Sequence, residues 1–180
     1  MGTLLSACRS PVTRFEVIDY STTCEPVRYF QEFDECYYRV DGDGNVDIVA
    51  RHRGDPTAQL SDGVVQVVHL QTIYRSVPGV TPVEPTMTNA TVSYIILNDG
   101  DGVSFDGAGF VFATSPGDGG ELTATLESSN LRAMRQRGVG PRVFHQPRVS
   151  GWIHARLDPR RTVRILNESR HLLGPLTDAR

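Results

Sequence analysis

The most pointed arrangement of chemically capable residues runs Arg39-Val40-Asp41-Gly42-Asp43-Gly44-Asn45-Val46-Asp47-Ile48-Val49. Carboxylates recur through a glycine-rich turn and an apolar run follows, so Asp41, Asp43 and Asp47 could offer oxygens to a calcium ion. Calcium takes six to eight oxygens and gains affinity from ligand charge, which the guanidinium of Arg39 opposes. Starting a helix-loop-helix calcium loop at Asp41 instead puts Val46 where glycine is required and His52 where a bidentate glutamate belongs. The competing reading is a hairpin turn in which Gly42 and Gly44 supply positive φ while the aspartates bind local amides or water. The hairpin is the preferred expectation; calcium stays as a disfavoured cofactor, and no other cofactor is expected. The segment Asn98 to Asp106 repeats the pattern more weakly and reads as a second turn.

The same loop resembles the calcium loops of integrin-type and bacterial β-propeller repeats. That resemblance assigns Asp41, Asp43 and Asp47 to three acidic positions, while the family's first acidic position is Arg39 here. Propellers are built from repeats of 40 or so residues, and this chain carries one such loop.

The five histidines show no metal-ligand spacing, and Cys24 and Cys36 are too far apart for a paired zinc knuckle. No Gly-x-Ser-x-Gly elbow, phosphate loop or dinucleotide fingerprint is present, and no catalytic residue is assigned. Triads of Ser, His and Asp meet only in space, so spacing is silent on them. A second constellation lies near the carboxy terminus. On a strand beginning at Val149, Trp152, His154 and Arg156 share one side, and Arg164 on a following strand would lie across from them. An aromatic ring beside cations could meet phosphates of lipid, carboxylates of a glycan, or an acidic protein.

The opening residues are Met-Gly-Thr-Leu-Leu-Ser-Ala-Cys, and Leu5-Ser6-Ala7-Cys8 resembles the lipobox of bacterial lipoproteins. In that family the cysteine receives diacylglycerol and becomes the mature amino terminus, which implies that Cys8 is lipidated. The basic and apolar regions of a signal peptide are reduced here to Met1 to Leu4, so the expectation is a remnant of a longer signal segment. Cys24 and Cys36 then remain as an even pair able to form a disulfide in an oxidising compartment. Residues 1–13 are read as signal remnant, lipobox and tether, and 14–180 as a single β domain. The expected location is a bacterial cell envelope, membrane-anchored, on its periplasmic or outer face.

The elements that must position these residues are read from a dominant period of two. Glu121 to Glu127 and Val149 to Leu157 alternate apolar with polar residues as half-buried antiparallel strands do. Further β-rich runs are Arg14 to Tyr20, Glu35 to Val40, Val46 to His52, Val64 to Tyr74, Thr91 to Leu97, Gly109 to Thr114 and Thr162 to Glu168. Asp, Gly and Pro clusters, including Asp158 to Arg161, separate them as turns. One short helix is expected at Leu131 to Arg137, and Ser76 to Thr88 reads as a proline-rich connection. The fold expectation is therefore all-β: an antiparallel sandwich or open barrel of about nine strands with at most one short helix.

Charge divides the chain unevenly. Its 180 residues carry a net charge of -3, yet residues 1–130 hold 7 Arg against 18 acids, and residues 131–180 hold 11 Arg against 3. No lysine occurs, which excludes Schiff-base and lysine general-base chemistry. The leading functional expectation is a non-enzymatic envelope lipoprotein domain, a binding or structural module with its contact surface on the Arg-rich carboxy-terminal strands. Its expected partners are the membrane through the lipid anchor, and an anionic lipid, glycan or acidic protein. The alternatives are a periplasmic hydrolase assembled from separated residues and a cytosolic nucleic-acid binder. The acidic first 130 residues disfavour nucleic acid.

Overall fold

Strands with apolar residues on one face or on both build most of the structure, a computed structural model that describes residues 12–20, 25–54, 64–73, 88–98, 100–114, 119–138 and 144–174. Among the described residues there are nine strands and one helix: β1 (Thr13–Asp19), β2 (Val27–Phe33), β3 (Glu35–Val40), β4 (Val46–Arg53), β5 (Val65–Thr72), β6 (Ala90–Asn98), β7 (Asp101–Ala113), β8 (Glu121–Arg137), β9 (Pro147–Leu157) and α1 (Pro159–Leu173). The strands form one sheet in the order β2-β1-β9-β3-β4-β5-β6-β7-β8, and β9 also pairs with β8, so the sheet closes on itself. The all-β expectation holds, with closure in place of an open edge along β8 and β9.

β9 is the closing strand because each of its edges is used. Residues from Arg148 to Arg156 pair with β8 on one edge. On the other edge Pro147 to Trp152 pair with β1, and Arg156 and Leu157 then run parallel to Tyr37 and Tyr38 of β3. At this change of partner Thr13 substitutes its side chain for a backbone ladder: its hydroxyl accepts from His154 N and donates to His154 O, both at 2.9 Å.

The inward positions fill the enclosed space with Phe15, Val17, Ile48, Tyr94, Ile96, Phe105, Leu122, Leu126, Leu131, Phe144, Val149 and Ile153 among others. A polar chain crosses it, in which the Tyr94 hydroxyl donates to Gln66 and Gln66 Nε2 donates to Gln31 at 3.4 Å. Burial with that single partner raises the Tyr94 phenol above its usual range. A second core lies outside the wall. Val49, Val67, Ile95 and Leu97 point outward from β4, β5 and β6, and Ile165, Leu166 and Leu173 of α1 cover them.

Four expectations are corrected here. Leu131 to Arg137, expected as helix, is the second half of β8 and pairs with Gly102 to Gly107 of β7. Thr162 to Glu168, expected as a strand, lies within α1. Its buried residues Thr162, Ile165, Leu166, Ser169 and Leu173 recur at helical spacing, and Asp158 caps the helix by accepting from Arg161 N with Pro159 in the first turn. The supposed Asp158 to Arg161 turn is thus a helix start. The segment Asn98 to Asp106 is likewise mostly strand, since β7 begins at Asp101 opposite Asn98. β2 was not anticipated, whereas β1, β3, β4, β5, β6 and β9 differ from expectation only at their ends.

Candidate functional site

Two rows of outward side chains cross β2, β1, β9 and β8. In the first, Glu32 is opposite Arg14, Arg14 opposite Trp152, and Trp152 opposite Thr125. In the second, Phe30 is opposite Glu16 and Glu16 opposite Ser150. Where that row would continue onto β8 the register shifts between Leu126 and Ser129, and the inserted Glu127 stands exposed. The rows enclose a groove of about 410 Å³ lined by Arg14, Glu16, Phe30, Thr125, Glu127 and Trp152. Trp152 is 59% exposed and Phe30 67% exposed, so two large aromatic rings flank a polar floor. Exposure on this scale is uncommon for rings of this size.

The floor is set from behind by Gly151. A Cβ there would stand 2.4 Å from Phe15 Cδ1, so only glycine lets the Phe15 ring lie directly beneath the strand that carries Trp152. Phe15 in turn packs edge-on against Phe33 at 5.1 Å between centroids. The groove therefore rests on a filled interior.

The remaining members of the carboxy-terminal constellation go elsewhere. His154 and Arg156 share the outward face of β9 with Trp152 but line a separate depression of about 410 Å³ at the β1–β3 seam, with Thr13, Glu35, Cys36 and Tyr37. His154 Nδ1 is buried there without a hydrogen-bond partner, and Nε2 stands 3.6 Å from Glu121 Oε2. Arg164 is on α1, where it approaches Glu168 at 3.7 Å, and does not lie across from Trp152 on a strand. The residues missed from the sequence are Phe30, Arg14, Glu16 and Glu127; the alternation in Val-Arg-Tyr-Phe-Gln-Glu-Phe was the signal for the first.

The acidic loop folds as a hairpin turn. Asp41 Oδ1 accepts from the amides of Asp43 and Asn45 at 3.0 and 2.8 Å, which pulls its carboxyl below the usual range, and Gly44 adopts φ 84. Asp47 faces the other way, beneath α1. Its Oδ2 accepts from Arg39 Nε at 2.7 Å and its Oδ1 lies 3.3 Å from His69 Nε2. These bonds, His69 first and then Arg39, lower the Asp47 pKa against the opposing effect of burial. Asp41, Asp43 and Asp47 are therefore not brought together as a ligand set, and among the described residues no group of three or more His, Cys, Asp or Glu is arranged for a metal.

His69 is directly opposite Ser93 on β6, so an Asp, a His and a Ser follow one another across three strands. The cavity beside them, of about 80 Å³ between the sheet and α1, is lined by His69, Ser93, Ser104, Asp106, Arg135 and Arg170. Asp47 is shared with Arg39, and the His69 imidazole bonds Asp47. Among the described residues no hydrogen bond joins Ser93 to the His69 imidazole.

Cys8 and Cys24 lie outside the described residues. Cys36 carries a free thiol packed against the inner core, and burial pushes it up to about 12 while a hydrogen bond from Thr13 acts in the opposite sense.

The ion pairs sort the charges further. Arg28, Arg39 and Arg51 pair with Glu16, Asp47 and Glu35, all within the first 130 residues. Among the described residues, Arg132, Arg135, Arg148, Arg156, Arg160 and Arg170 have no carboxylate within ion-pair distance. No helix among the described residues is long and apolar enough to cross a membrane. No protein-family model, curated protein or solved structure matches this chain.

Proposed function

We propose that the chain is a non-enzymatic glycan-binding module of a bacterial cell envelope, tethered through Cys8, with the Trp152 groove as its contact surface. The observation that supports this is the pair of exposed rings, Trp152 and Phe30, flanking Arg14, Glu16, Thr125 and Glu127. A sugar ring offers an apolar face of C–H groups to an indole and a rim of hydroxyls to carboxylates, guanidinium and threonine. The carboxylates argue against a phosphate-dense membrane surface as the groove's ligand, because Glu32 and Glu127, which have no ion-pair partner among the described residues, would repel it. Arg14 adds a planar donor fork for a hydroxyl pair or a uronate carboxylate.

The chain has one tryptophan, so its fluorescence reports on this groove alone. Titration with oligomers of glucose, N-acetylglucosamine and galacturonate is expected to change the emission saturably for one of them. Trp152→Ala is expected to weaken that binding, measured by calorimetry, at least about tenfold, as for a central aromatic anchor. Silence with all three oligomers, together with salt-sensitive binding to phosphatidylglycerol vesicles, would replace the glycan with a lipid headgroup as ligand.

A further inference from the structure

The groove ends at β2, the last strand of the sheet among the described residues. Among the described residues Val27 to Phe33 pair with β1 on one edge and with no strand on the other. An open strand edge is a template for another strand, and natural proteins cover, shorten or charge such edges. Here the outward face of β2 reads Arg28, Phe30, Glu32, a positive, an apolar and a negative residue at alternate positions. Arg28 and Phe30 are exposed, Arg28 reaching Glu16 of its own sheet at 2.7 Å with one nitrogen and keeping its other donors for a second carboxylate, and Glu32 has no ion-pair partner among the described residues.

From this we infer that β2 pairs antiparallel with β2 of a second copy of the chain, about a two-fold axis through Phe30. The three residues are self-complementary under that rotation and under no neighbouring one. With Phe30 opposite Phe30, each Arg28 faces a Glu32 of the other copy, giving two opposite-charge pairs around a central aromatic pair. A slip of one residue pair sets a charge against Phe30, and a slip of two sets Arg28 on Arg28 or Glu32 on Glu32. Parallel in-register pairing also sets like on like. Charge therefore selects both the orientation and the register.

The pairing has a consequence for the groove. A two-fold axis perpendicular to the strands keeps the outward faces on one side, so β8-β9-β1-β2 of each copy would join into one surface with two Trp152 grooves. The inference does not rest on the glycan reading, since it uses the edge of β2 and not the identity of a ligand.

Sedimentation velocity over a concentration series tests it, because one strand edge is smaller than a standard interface and gives a dimer that dissociates on dilution. The wild-type chain is expected to reach the dimer at about 100 µM, the range in which small interfaces associate. Arg28→Glu and Glu32→Arg are each expected to sediment as monomers, while an equimolar mixture of the two forms a heterodimer and the double exchange restores the homodimer. Phe30→Lys, a change at an exposed site, is expected to be monomeric with an unchanged thermal melt. A wild-type chain that stays monomeric at that concentration, or a dimer that survives Arg28→Glu and Glu32→Arg separately, overturns the inference. So does a mixture of the two variants that fails to associate.

Discussion

Asp47 shows how one carboxylate can be drawn out of an apparent ligand set by its neighbours. In the chain it follows Asp41 and Asp43 through the loop, but the strand period turns it to the outward face of β4. There Arg39 and His69 take both of its oxygens. Because these bonds lower the folded-state pKa below the ordinary 3.8, the unfolded chain takes up the proton first as the solution is acidified. The stabilisation is complete above 3.8 and is lost as pH falls through the depressed folded value. Asp47→Asn is therefore expected to cost about 1 to 2 kcal/mol at pH 7 and to flatten the acid limb of stability, read by urea unfolding between pH 2.5 and 7. An acid limb identical to wild type would remove Asp47 from that role. At this scale the outward direction of Trp152, His154 and Arg156 was legible, since period two fixes which residues share a face. Their division between two depressions was not, because it depends on β1 giving way to β3 along β9.

Elements were legible where one local signal dominated. Alternation located β9 and the first half of β8, and β-rich composition located β1, β3, β4, β5 and β6, while the second half of β8 and the helix α1 required context. Leu131 to Arg137 has the composition of a helix, with Leu, Ala, Met, Gln and Arg, yet seven residues of it are held as strand by the ladder to β7. Thr162 to Leu166 contains β-branched residues, yet the Asp158 cap and Pro159 start a helix that the outward apolar stripe of β4 to β6 then holds. Arg51 fastens that docking. Its side chain is 5% exposed, bonds Glu35 on β3, and reaches Glu168 of α1 at 2.9 Å. Removing the guanidinium leaves the partly exposed carboxylates of Glu35 and Glu168 without their shared partner, so Arg51→Met is expected to cost about 1 to 2 kcal/mol. Amide exchange distinguishes a docking role from general damage: α1 should lose protection while β8 and β9 keep theirs. Uniform loss along the chain would mean that Arg51 supports the barrel as a whole and not the helix.

At the scale of the molecule the charge asymmetry survives folding. Among the described residues Arg28, Arg39 and Arg51 pair with carboxylates of β1, β4 and β3, Arg51 and Arg53 also reach Glu168, and no ion pair joins a carboxylate of the first 130 residues to an arginine of the last 50. Arg132 and Arg135 sit on the half of β8 that extends past its pairing with β9, Arg148 flanks it on β9, and Arg170 lines the same cavity as Arg135. A chain of net charge -3 should pass through a carboxylate cation exchanger at pH 7 if its charges were evenly spread. With a local cationic strip it should instead be retained at low ionic strength, because nearby opposite charges on the far side are screened over a Debye length of roughly 10 Å at 0.1 M. Elution is expected by about 0.3 M salt, where screening reaches the strip itself. Arg132→Gln combined with Arg135→Gln should move elution to lower salt, whereas Arg28→Gln, whose guanidinium is already paired with Glu16, should move it little. Passage of the wild-type chain without retention would mean that acidic neighbours cancel the strip, and the late arginines would then be a solvated face without a long-range field.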